Sequence, residues 1–237
     1  MRVVDAGSLT RSNLVYREPA LYDELLADDS LASDLLAVVE RHHASARTVL
    51  DLGCGTGRLL AQLRGHGFDC TGIDLQPNLI AWAQDAHPGL RLMVDDLCST
   101  RLGTHVDVVT CVGNTLSYLH TDAELSAAFD TVRAHSHPGT LLALATLTDT
   151  GSDTRSSSEI TTSLGAATVI TTTESDPTTD IQTTTRTWRF TNGRVEHDTM
   201  HRRIWRSDVL AALTRAVGFE IVSVALRSSL TLCSVHR

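Results

Sequence analysis

Residues 49–57 read Val-Leu-Asp-Leu-Gly-Cys-Gly-Thr-Gly, an apolar strand pattern that runs into three glycines at alternating positions. Gly53, Gly55 and Gly57 allow the positive φ angles and the close ligand approach that a tight strand-to-helix turn requires. A dinucleotide loop of the form G-x-G-x-x-G would place its third glycine at position 58, where this chain has Arg58. The stretch therefore predicts an α/β fold with a nucleotide-like ligand at this turn, and it disfavours a nicotinamide cofactor.

Strand and helix patterns alternate on both sides of this turn, which is typical of a parallel sheet with crossover helices. Two apolar runs at about 219–225 and 229–236 have no helix between them and predict an antiparallel C-terminal hairpin. Together the patterns predict a doubly wound, seven-stranded, mostly parallel sheet that carries this hairpin. The other strands are expected near 47–52, 69–73, 90–94, 105–112 and 139–147, and the helices near 57–66, 77–86 and 122–135.

The chain divides into three predicted parts. Residues 1–46 form an N-terminal helical cap with helices near 19–28 and 31–43, and residues 47–147 with 207–237 form the core. Residues 148–206 are a loop followed by a small antiparallel β insertion that covers the substrate.

Within the insertion, the Thr- and Ser-rich segment 148–165 is interpreted as a loop or lid. Strands near 168–174, 181–191 and 194–205 follow, and Asn192-Gly193 predicts a hairpin turn in which both residues have positive φ.

The composition narrows the class of function. The net charge of -8 over 237 residues disfavours nucleic acid as a partner, so a small molecule is expected. The five cysteines have no C-x-x-C spacing, which favours reduced thiols and a cytoplasmic protein without a metal site. No leader or long apolar run is present, so we expect no membrane association. The oligomeric state is left open between monomer and homodimer.

A second acidic position lies one strand beyond the glycine turn. Asp74 follows Gly72-Ile73 at the predicted end of the second strand, where a carboxylate can accept hydrogen bonds from both hydroxyls of a ribose. Leu75 is then placed beside the base of the same nucleoside. A solvated aspartate at a strand end is the alternative interpretation of Asp74 taken alone.

The G-x-G-x-G spacing preceded by Asp51 resembles motif I of class I S-adenosylmethionine-dependent methyltransferases. Residues 110–119, Thr-Cys-Val-Gly-Asn-Thr-Leu-Ser-Tyr-Leu, resemble glycine N-methyltransferases and the aminosugar N-methyltransferases of macrolide biosynthesis. The N/D-P-P-Y/F tetrapeptide of nucleic-acid and protein amide methylases is missing. The resemblance covers roughly residues 16–147.

The resemblance implies S-adenosylmethionine as the cofactor and methyl transfer to an amine of a small molecule. The Arg- and Ala-rich composition favours a bacterial secondary-metabolite pathway, such as antibiotic biosynthesis, as the setting. A small-molecule O-methyltransferase remains open. A nicotinamide-dependent oxidoreductase and a non-catalytic domain that binds the cofactor are more remote alternatives.

The resemblance also implies which side chains hold the cofactor. Asp51 is expected to bind the ammonium group of the methionine end, because an acidic residue suits a cation. Asp96 is expected to accept from the adenine amino group, with Leu97 packed on the ring, although Asp95 competes for this role. The implied set is Tyr22, Asp51, Gly53, Cys54, Gly55, Gly57, Asp74, Leu75, Asp96, Leu97, Val112 and Asn114.

The acceptor side is less specified. In the resembled families a tyrosine-bearing N-terminal segment folds over the cofactor, which points to Tyr16 and Tyr22, although both could equally be ordinary core or surface residues. The candidate bases are His120, which follows the 110–119 segment, and His197 and His201, which lie on one side of a predicted strand. The implied substrate-binding residues are Tyr16, Ser117, Tyr118 and Arg203.

Overall fold

A computed structural model of the protein describes residues 13–26, 30–149, 151–226 and 230–237. The N-terminal part contains three helices, α1 (Leu14–Arg17), α2 (Pro19–Leu25) and α3 (Ser30–His43). The sequence predicted a single helix near 19–28. The structure adds α1 before it, because Pro19 begins a new helix at its first position, where its missing N–H costs nothing.

The core is a seven-stranded sheet with the order β10-β11-β5-β4-β1-β2-β3. β11 is antiparallel to both of its neighbours, and the remaining pairs are parallel. The predicted fold class is therefore confirmed, including the C-terminal hairpin at one edge. The strands are β1 (Thr48–Leu52), β2 (Asp69–Asp74), β3 (Arg91–Val94), β4 (Val106–Cys111), β5 (Ser136–Leu144), β10 (Phe219–Leu226) and β11 (Leu230–His236). The helices are α4 (Arg58–Gly65), α5 (Pro77–Ala86), α6 (Asp122–Ala134) and α7 (Ser207–Ala216).

Apolar clusters cover both faces of this sheet. Leu60 and Ile80 pack on one face, whereas Phe129 and Leu210 pack on the other. Burial of strands on both faces fits the continuous apolar runs from which they were predicted. The carboxyl ends of β1, β2 and β4 consequently meet at one edge of the sheet, which is where ligands bind in open α/β folds.

One core strand differs from its predicted bounds. β5 begins at Ser136 rather than near 139, because Ser136 pairs with Val106 ahead of an irregularity in the ladder. Thr140 Oγ1 donates to the carbonyl of Val106 at 2.7 Å and accepts from the N–H of His137 at 2.9 Å. These side-chain bonds hold the Ser-His-Pro-Gly segment in the sheet, although its composition is typical of a turn.

Four further strands form a separate antiparallel sheet, called here the roof sheet. It consists of β6 (Thr154–Thr162), β7 (Gly165–Asp176), β8 (Ile181–Phe190) and β9 (Val195–Arg203), in that order. This confirms the small antiparallel insertion. The interpretation of 148–165 as a loop was wrong for residues 154–162, because β6 pairs with β7 along its whole length. A strand of Ser and Thr with solvent on both faces has no apolar alternation that could reveal it.

The β8–β9 hairpin lies where Asn192-Gly193 predicted it, but its turn is of another type. Only Gly193 has positive φ, at 88°, so the expectation of positive φ at both residues was wrong. The N–H of Gly193 donates to the carbonyl of Phe190 at 3.0 Å, and the N–H of Phe190 donates to the carbonyl of Arg194 at 2.9 Å. This pattern is that of a longer hairpin loop with a left-handed glycine at its end.

The apolar end of the roof sheet packs on the N-terminal helices. Trp188 and Phe190 meet Leu14 and Leu21 in a buried cluster. Asp198, which is 1% exposed, accepts from the N–H of Leu14 at the start of α1 and from the indole N–H of Trp188 at 2.7 Å. The roof sheet and α1 are thus joined by both apolar packing and a buried carboxylate.

Candidate active site

The turn after β1 needs glycine for a reason that the structure makes specific. Gly53 has a φ of 88°, and a Cβ at this position would lie 2.3 Å from Cγ2 of Thr115. A Cβ at Gly55 would lie 3.2 Å from the ring of Tyr22. The N–H of Gly53 donates to the carbonyl of Ile73 at 2.8 Å, which fixes the turn against β2. The turn is therefore packed closely by two side chains that come from distant parts of the chain.

Asp74 ends β2 beside this turn. Its carboxylate accepts the N–H of Gly55 and the N–H of Gln76, each at 2.8 Å. Burial raises the pKa of Asp74, while these two backbone donors oppose the rise. Each oxygen of this carboxylate accepts one backbone N–H, so the orientation of the group is fixed. Each oxygen also keeps a lone pair that can accept a hydrogen bond from a hydroxyl group.

A cavity of about 760 Å³ opens beside Asp74. Its wall combines the ends of β2 and β3, the segment after β4 and the N-terminal tyrosines. Asp95 and Asp96 both border it, so the structure leaves the choice between them open. The lining residues are Tyr16, Tyr22, Gly53, Ile73, Asp74, Leu75, Gln76, Leu79, Asp95, Asp96, Leu97, Gly113, Thr115, Tyr118 and Leu119.

Asp51 lies at the end of β1 and is 2% exposed. The hydroxyl of Thr110 on β4 donates to its carboxylate at 2.7 Å. Burial raises the pKa of Asp51 to about 7, the Thr110 hydroxyl acts against this rise, and the negative charge of Asp74 adds to it. A cationic group beside this buried carboxyl would stabilise its ionised form and lower its pKa again.

Asp51 borders a second, more open cavity of about 1490 Å³. Four residues, Tyr22, Gly53, Gly113 and Thr115, line both cavities, so the two spaces meet over the glycine turn. We call the pair the cofactor cleft. The second cavity is lined in addition by Asp23, Leu25, Leu26, Leu31, Asp51, Cys54, Thr56, Arg58, Leu59, Gln62, Val112, Asn114, Ala145, Thr146 and Leu147.

The three tyrosines of the chain meet at the first cavity. The hydroxyl of Tyr16 donates to that of Tyr118 at 2.7 Å, and the rings of Tyr16 and Tyr22 lie 5.7 Å apart. Burial raises the pKa of Tyr16 and of Tyr22 far above the ordinary value of a phenol. These hydroxyls are therefore neutral hydrogen-bonding groups. The amide of Asn78 donates to the carbonyl of Tyr16, which ties α1 to α5.

Asp23 ties α2 to the glycine turn. It accepts from the hydroxyl of Thr56 at 2.9 Å, and it lies 3.3 Å from the guanidinium of Arg58. Tyr22 is the neighbour of Asp23, so these bonds hold its ring over Gly55. The N-terminal segment is consequently anchored to the cofactor cleft at this end and to the roof sheet at the other.

The three predicted bases lie outside the linings of both cavities. Nε2 of His120 is 3.1 Å from the carbonyl of His201, which makes Nε2 the protonated nitrogen and leaves Nδ1 as the acceptor. Nδ1 of His201 lies 3.0 Å from the hydroxyl of Thr183, and His197 makes a similar contact with Thr187. The side chains of His197 and His201 are exposed on β9.

Two predicted substrate residues have structural partners instead of cavity contacts. Ser117 is fully buried, and its hydroxyl lies 3.0 Å from that of Thr146. Arg203 donates to the carbonyl of His120 at 3.0 Å and stacks on the ring of Trp205 at 3.9 Å. Tyr16 and Tyr118, by contrast, both border the first cavity.

The sequence reasoning missed several residues of the cleft. Thr115 covers Gly53, and the signal for it was the Gly113-Asn114 pair, whose left-handed backbone turns the chain back toward the sheet. Gln76 lines the first cavity from the position before α5, where Pro77 marked the start of a helix. Asp23 accompanies Tyr22 in the tyrosine-bearing segment, and its bonds to Thr56 and Arg58 join parts of the chain that lie far apart in sequence.

Among the helices that the structure describes, none is both long and apolar enough to span a membrane. The described residues contain no cluster of three or more His, Cys, Asp or Glu side chains able to hold a metal ion. Cys54, Cys70, Cys98 and Cys111 are free thiols.

The comparison with protein families matches residues 22–224 to the family described as a methyltransferase domain. The chain belongs to this family. The predicted resemblance to S-adenosylmethionine-dependent methyltransferases is thereby confirmed.

Curated relatives include two sugar-modifying enzymes from Streptomyces. One, from Streptomyces fradiae, is named dTDP-3-amino-3,6-dideoxy-alpha-D-glucopyranose N,N-dimethyltransferase and is 35% identical over 107 residues, 45% of this chain and 42% of the relative. Another, from Streptomyces venezuelae, is named dTDP-3-amino-3,4,6-trideoxy-alpha-D-glucopyranose N,N-dimethyltransferase and is 31% identical over 108 residues, 46% of each chain. The chain spans less than half of the length of these relatives.

Solved structures resemble the fold over nearly the whole chain. An amino pentose methyltransferase from Micromonospora echinaspora, involved in calicheamicin biosynthesis and solved with S-adenosylmethionine bound, has a TM-score of 0.82 at 22% identity and covers 95% of this chain and 98% of its own. A sugar N-methyltransferase from a Streptoalloteichus species has a TM-score of 0.79 at 22% identity, over 91% of this chain and 92% of its own. At this level of identity, the likeness establishes a shared fold.

Proposed function

We propose that the protein transfers a methyl group from S-adenosylmethionine to the amine nitrogen of a small molecule, and that this acceptor is an amino sugar carried on a nucleotide. The names of the curated relatives support the acceptor class, since they are N,N-dimethyltransferases of such sugars. A role in antibiotic biosynthesis fits the pathway named for one structural relative. The net charge of -8 supports a small acceptor rather than nucleic acid.

The cofactor cleft suits this cofactor group by group. Asp74 would accept from the ribose hydroxyls, and Asp96 or Asp95 would accept from the adenine amino group between Leu75 and Leu97. Asp51 would bind the ammonium group, which accounts for a buried carboxyl whose pKa is raised by burial. The lack of a Cβ at Gly53 lets Thr115 pack directly against the turn, where both residues line the two cavities.

When bound, S-adenosylmethionine supplies an electrophilic methyl group on a sulfonium sulfur. Displacement at this carbon needs alignment of the acceptor atom and exclusion of water more than it needs covalent help from the protein. Tyr22 caps the glycine turn, and the Tyr16–Tyr118 pair borders the adjoining cavity with neutral hydroxyls. These hydroxyls would orient an acceptor amine by hydrogen bonds and leave its lone pair free.

The observation that carries the choice of an amine is the absence of histidine among the described residues that line the cofactor cleft. An alcohol needs a positioned base before it attacks, whereas an unprotonated amine carries its own nucleophilic lone pair. Asp51, Asp74 and one of the pair Asp95 and Asp96 are assigned to the cofactor in this scheme. The tyrosine hydroxyls at the first cavity are therefore better matched to nitrogen than to oxygen.

An O-methyltransferase is the second candidate, and one observation favours it. The contact of His120 with the carbonyl of His201 directs a proton on Nε2 toward that oxygen, so the acceptor nitrogen of a neutral ring would be Nδ1. If the acceptor extends from the cleft to the segment after Tyr118, His120 would serve as its base. His197 and His201 stay predictions with weaker support, since both are exposed.

Further elements of the proposal concern the whole molecule. The N-terminal cap 1–46 and the insertion 148–206 would enclose the acceptor above the core formed by 47–147 and 207–237. A cytoplasmic location is supported by the free thiols of the described cysteines.

The test uses labelled S-adenosylmethionine and pairs of nucleotide-linked sugars that differ only by an amino or a hydroxyl group at one carbon. We expect label to enter the amino sugars and to leave their hydroxyl counterparts unmodified, as read by product mass. Asp74→Ala should lose transfer in the same assay, whereas Asp69→Ala, at the exposed start of the same strand, should keep it. Labelling of the hydroxyl sugars alone would establish the second candidate. Labelling of neither, with cofactor binding intact, would reject the acceptor class.

A further inference from the structure

The outer strand of the roof sheet has an open edge. β6 pairs with β7 from Thr154↔Thr173 to Thr162↔Gly165, without a shift of register, and no other strand of the described residues lies on its far side. Residues 154–159 are exposed to solvent. This edge presents a row of backbone N–H and C=O groups, which is a template for another strand.

β6 lacks several of the features that usually protect such an edge. Proteins block edges by short strands, prolines, bulges, charged side chains or a covering segment, and of these β6 has charged side chains, at Arg155 and Glu159. β3, an edge of the seven-stranded sheet, is only four residues long. β9, the other edge of the roof sheet, is covered in part, because His120 bonds the carbonyl of His201. β6 is nine residues long, contains no proline and runs without a bulge.

The charges of β6 are arranged symmetrically about its centre. Arg155 and Glu159 lie two positions before and two positions after Ser157, so both side chains point to the same face of the sheet. Both are exposed, and neither has an ion-pair partner within the part of its own chain that the structure describes. Opposite charges that face each other across antiparallel strands stabilise the pair.

Symmetry restricts how two copies of β6 can pair. A two-fold axis perpendicular to the sheet keeps each face of the sheet on its own side. Residues that lie opposite each other must then point to the same face, so one residue of β6 lies directly opposite its own copy, with the axis between the two. An axis beside Arg155 would place two arginines opposite each other, and an axis beside Glu159 would place two glutamates opposite each other. An axis at Ser156 or Ser158 would leave both charges without an opposite partner. An axis at Ser157 places Arg155 of each copy opposite Glu159 of the other.

We propose that the protein forms a homodimer in which β6 pairs antiparallel with β6 of a second copy. The two Ser157 residues lie opposite each other across the two-fold axis, and two Arg155–Glu159 ion pairs flank them. The two roof sheets then join into one continuous eight-stranded sheet. β6 lines neither cavity of the cofactor cleft, so each copy keeps its own cleft in this arrangement.

The test exploits the symmetry of the charges. Arg155→Glu makes the strand wholly acidic at these two positions, and Glu159→Arg makes it wholly basic. Each single variant therefore converts two attractions into two repulsions, and we expect its dimer dissociation constant to rise at least about tenfold. Sedimentation equilibrium of the full chain, from micromolar to millimolar concentration, measures this constant. An equimolar mixture of the two variants should form a heterodimer, and the double variant Arg155→Glu/Glu159→Arg should dimerise like the unmodified chain.

Arg189→Glu is the matched control, because it makes the same change of charge at an exposed position of the interior strand β8. It should leave the dissociation constant within about twofold of the original. Binding of S-adenosylhomocysteine by each variant verifies that it is folded. A chain that is monomeric throughout the range overturns the proposal. A dimer that both single variants retain also overturns it, because the interface would then lie elsewhere.

Discussion

The carboxyl edge of the seven-stranded sheet and the roof sheet hold their glycines and carboxylates in different ways. Gly53 and Gly193 have the same φ of 88°, but a Cβ would strike Thr115 at Gly53 and would meet nothing within 4 Å at Gly193. Asp74 takes its two donors from nearby turns, whereas Asp198 takes one from Leu14, 184 residues away. On the proposed function, the first region binds the ligand, whereas the second attaches the roof sheet to α1.

If this difference is right, changes at the two regions should separate cofactor affinity from folding stability. The largest effect is expected for Gly53→Ala, which combines backbone strain with a clash against Thr115. We expect cofactor affinity to fall at least about a hundredfold and the free energy of unfolding to fall by about 2–4 kcal/mol. Calorimetric titration with S-adenosylhomocysteine and urea unfolding measure the two quantities.

Gly193→Ala is the control for that variant, since it has the same φ without the clash. It should cost about 1–2 kcal/mol of stability and leave cofactor affinity unchanged. Equal losses of affinity in the two variants would remove the distinction between the regions.

The next largest effect is expected at Asp74. Asp74→Ala removes the acceptor of the ribose hydroxyls, and a lost charged hydrogen bond of about 1.5–3 kcal/mol corresponds to a fall in affinity of roughly ten- to a hundredfold. Asp69→Ala changes an exposed carboxylate of the same strand that pairs with Arg91, and it should have no effect on the titration. Unchanged affinity in the Asp74 variant would exclude this residue from the site.

A smaller effect is expected from pH. The pKa of Asp51 is raised from 3.8 to about 7, and the ionised form is the one that binds an ammonium group. Cofactor affinity should therefore fall by roughly tenfold between pH 8 and pH 6, and Asp51→Asn should flatten this profile at a lower affinity. A profile that persists in the Asn variant would assign the titration to another group.

The same shift has a consequence for stability. Without ligand, the folded chain holds the Asp51 proton more tightly than the unfolded chain does. The contribution of Asp51 to the free energy of unfolding should therefore decline as the pH rises from 3.8 toward about 7. A bound ammonium group should restore part of that loss. Urea unfolding across this pH range, with and without S-adenosylhomocysteine, measures both.

The smallest effect on cofactor affinity is expected at the roof sheet. Asp198→Asn replaces one carboxylate oxygen by an NH2 group, so one of the two buried N–H donors, on Leu14 or Trp188, loses its acceptor. This should lower the free energy of unfolding by about 1–3 kcal/mol. Affinity for S-adenosylhomocysteine should change by less than about twofold. Asp208→Asn, at an exposed surface pair, should change neither quantity measurably. A large loss of affinity in the Asp198 variant would mean that the lid, and not the glycine turn, dominates cofactor binding.

The two regions also differ in how far the sequence could predict them. The glycine turn, Asp51 and Asp74 follow from spacing within one β-α-β unit, because a local turn fixes where each side chain points. The structure places Gly53, Asp51 and Asp74 on the cofactor cleft, whereas Gly55 and Gly57 line neither cavity. The fold class followed from the same alternation of strands and helices.

The remaining positions depend on contacts between segments far apart in sequence. β6 was missed because its Ser and Thr side chains face solvent on both sides, so no apolar period marks the strand. Asp198 carries no local signal of its bond to Leu14. His197 and His201 were rightly placed on one side of a strand, but which side faces the cleft depends on how the roof sheet packs, which their spacing does not encode.

The central claim is that the cofactor cleft binds S-adenosylmethionine with its amino-acid end over the glycine turn. A crystal structure with S-adenosylhomocysteine tests it most directly. We predict ligand density across both cavities, with the ribose hydroxyls on Asp74 and the amino group beside Asp51. Density in which the ribose lies away from Asp74, or a saturated crystal in which the cleft holds no ligand, would contradict the account.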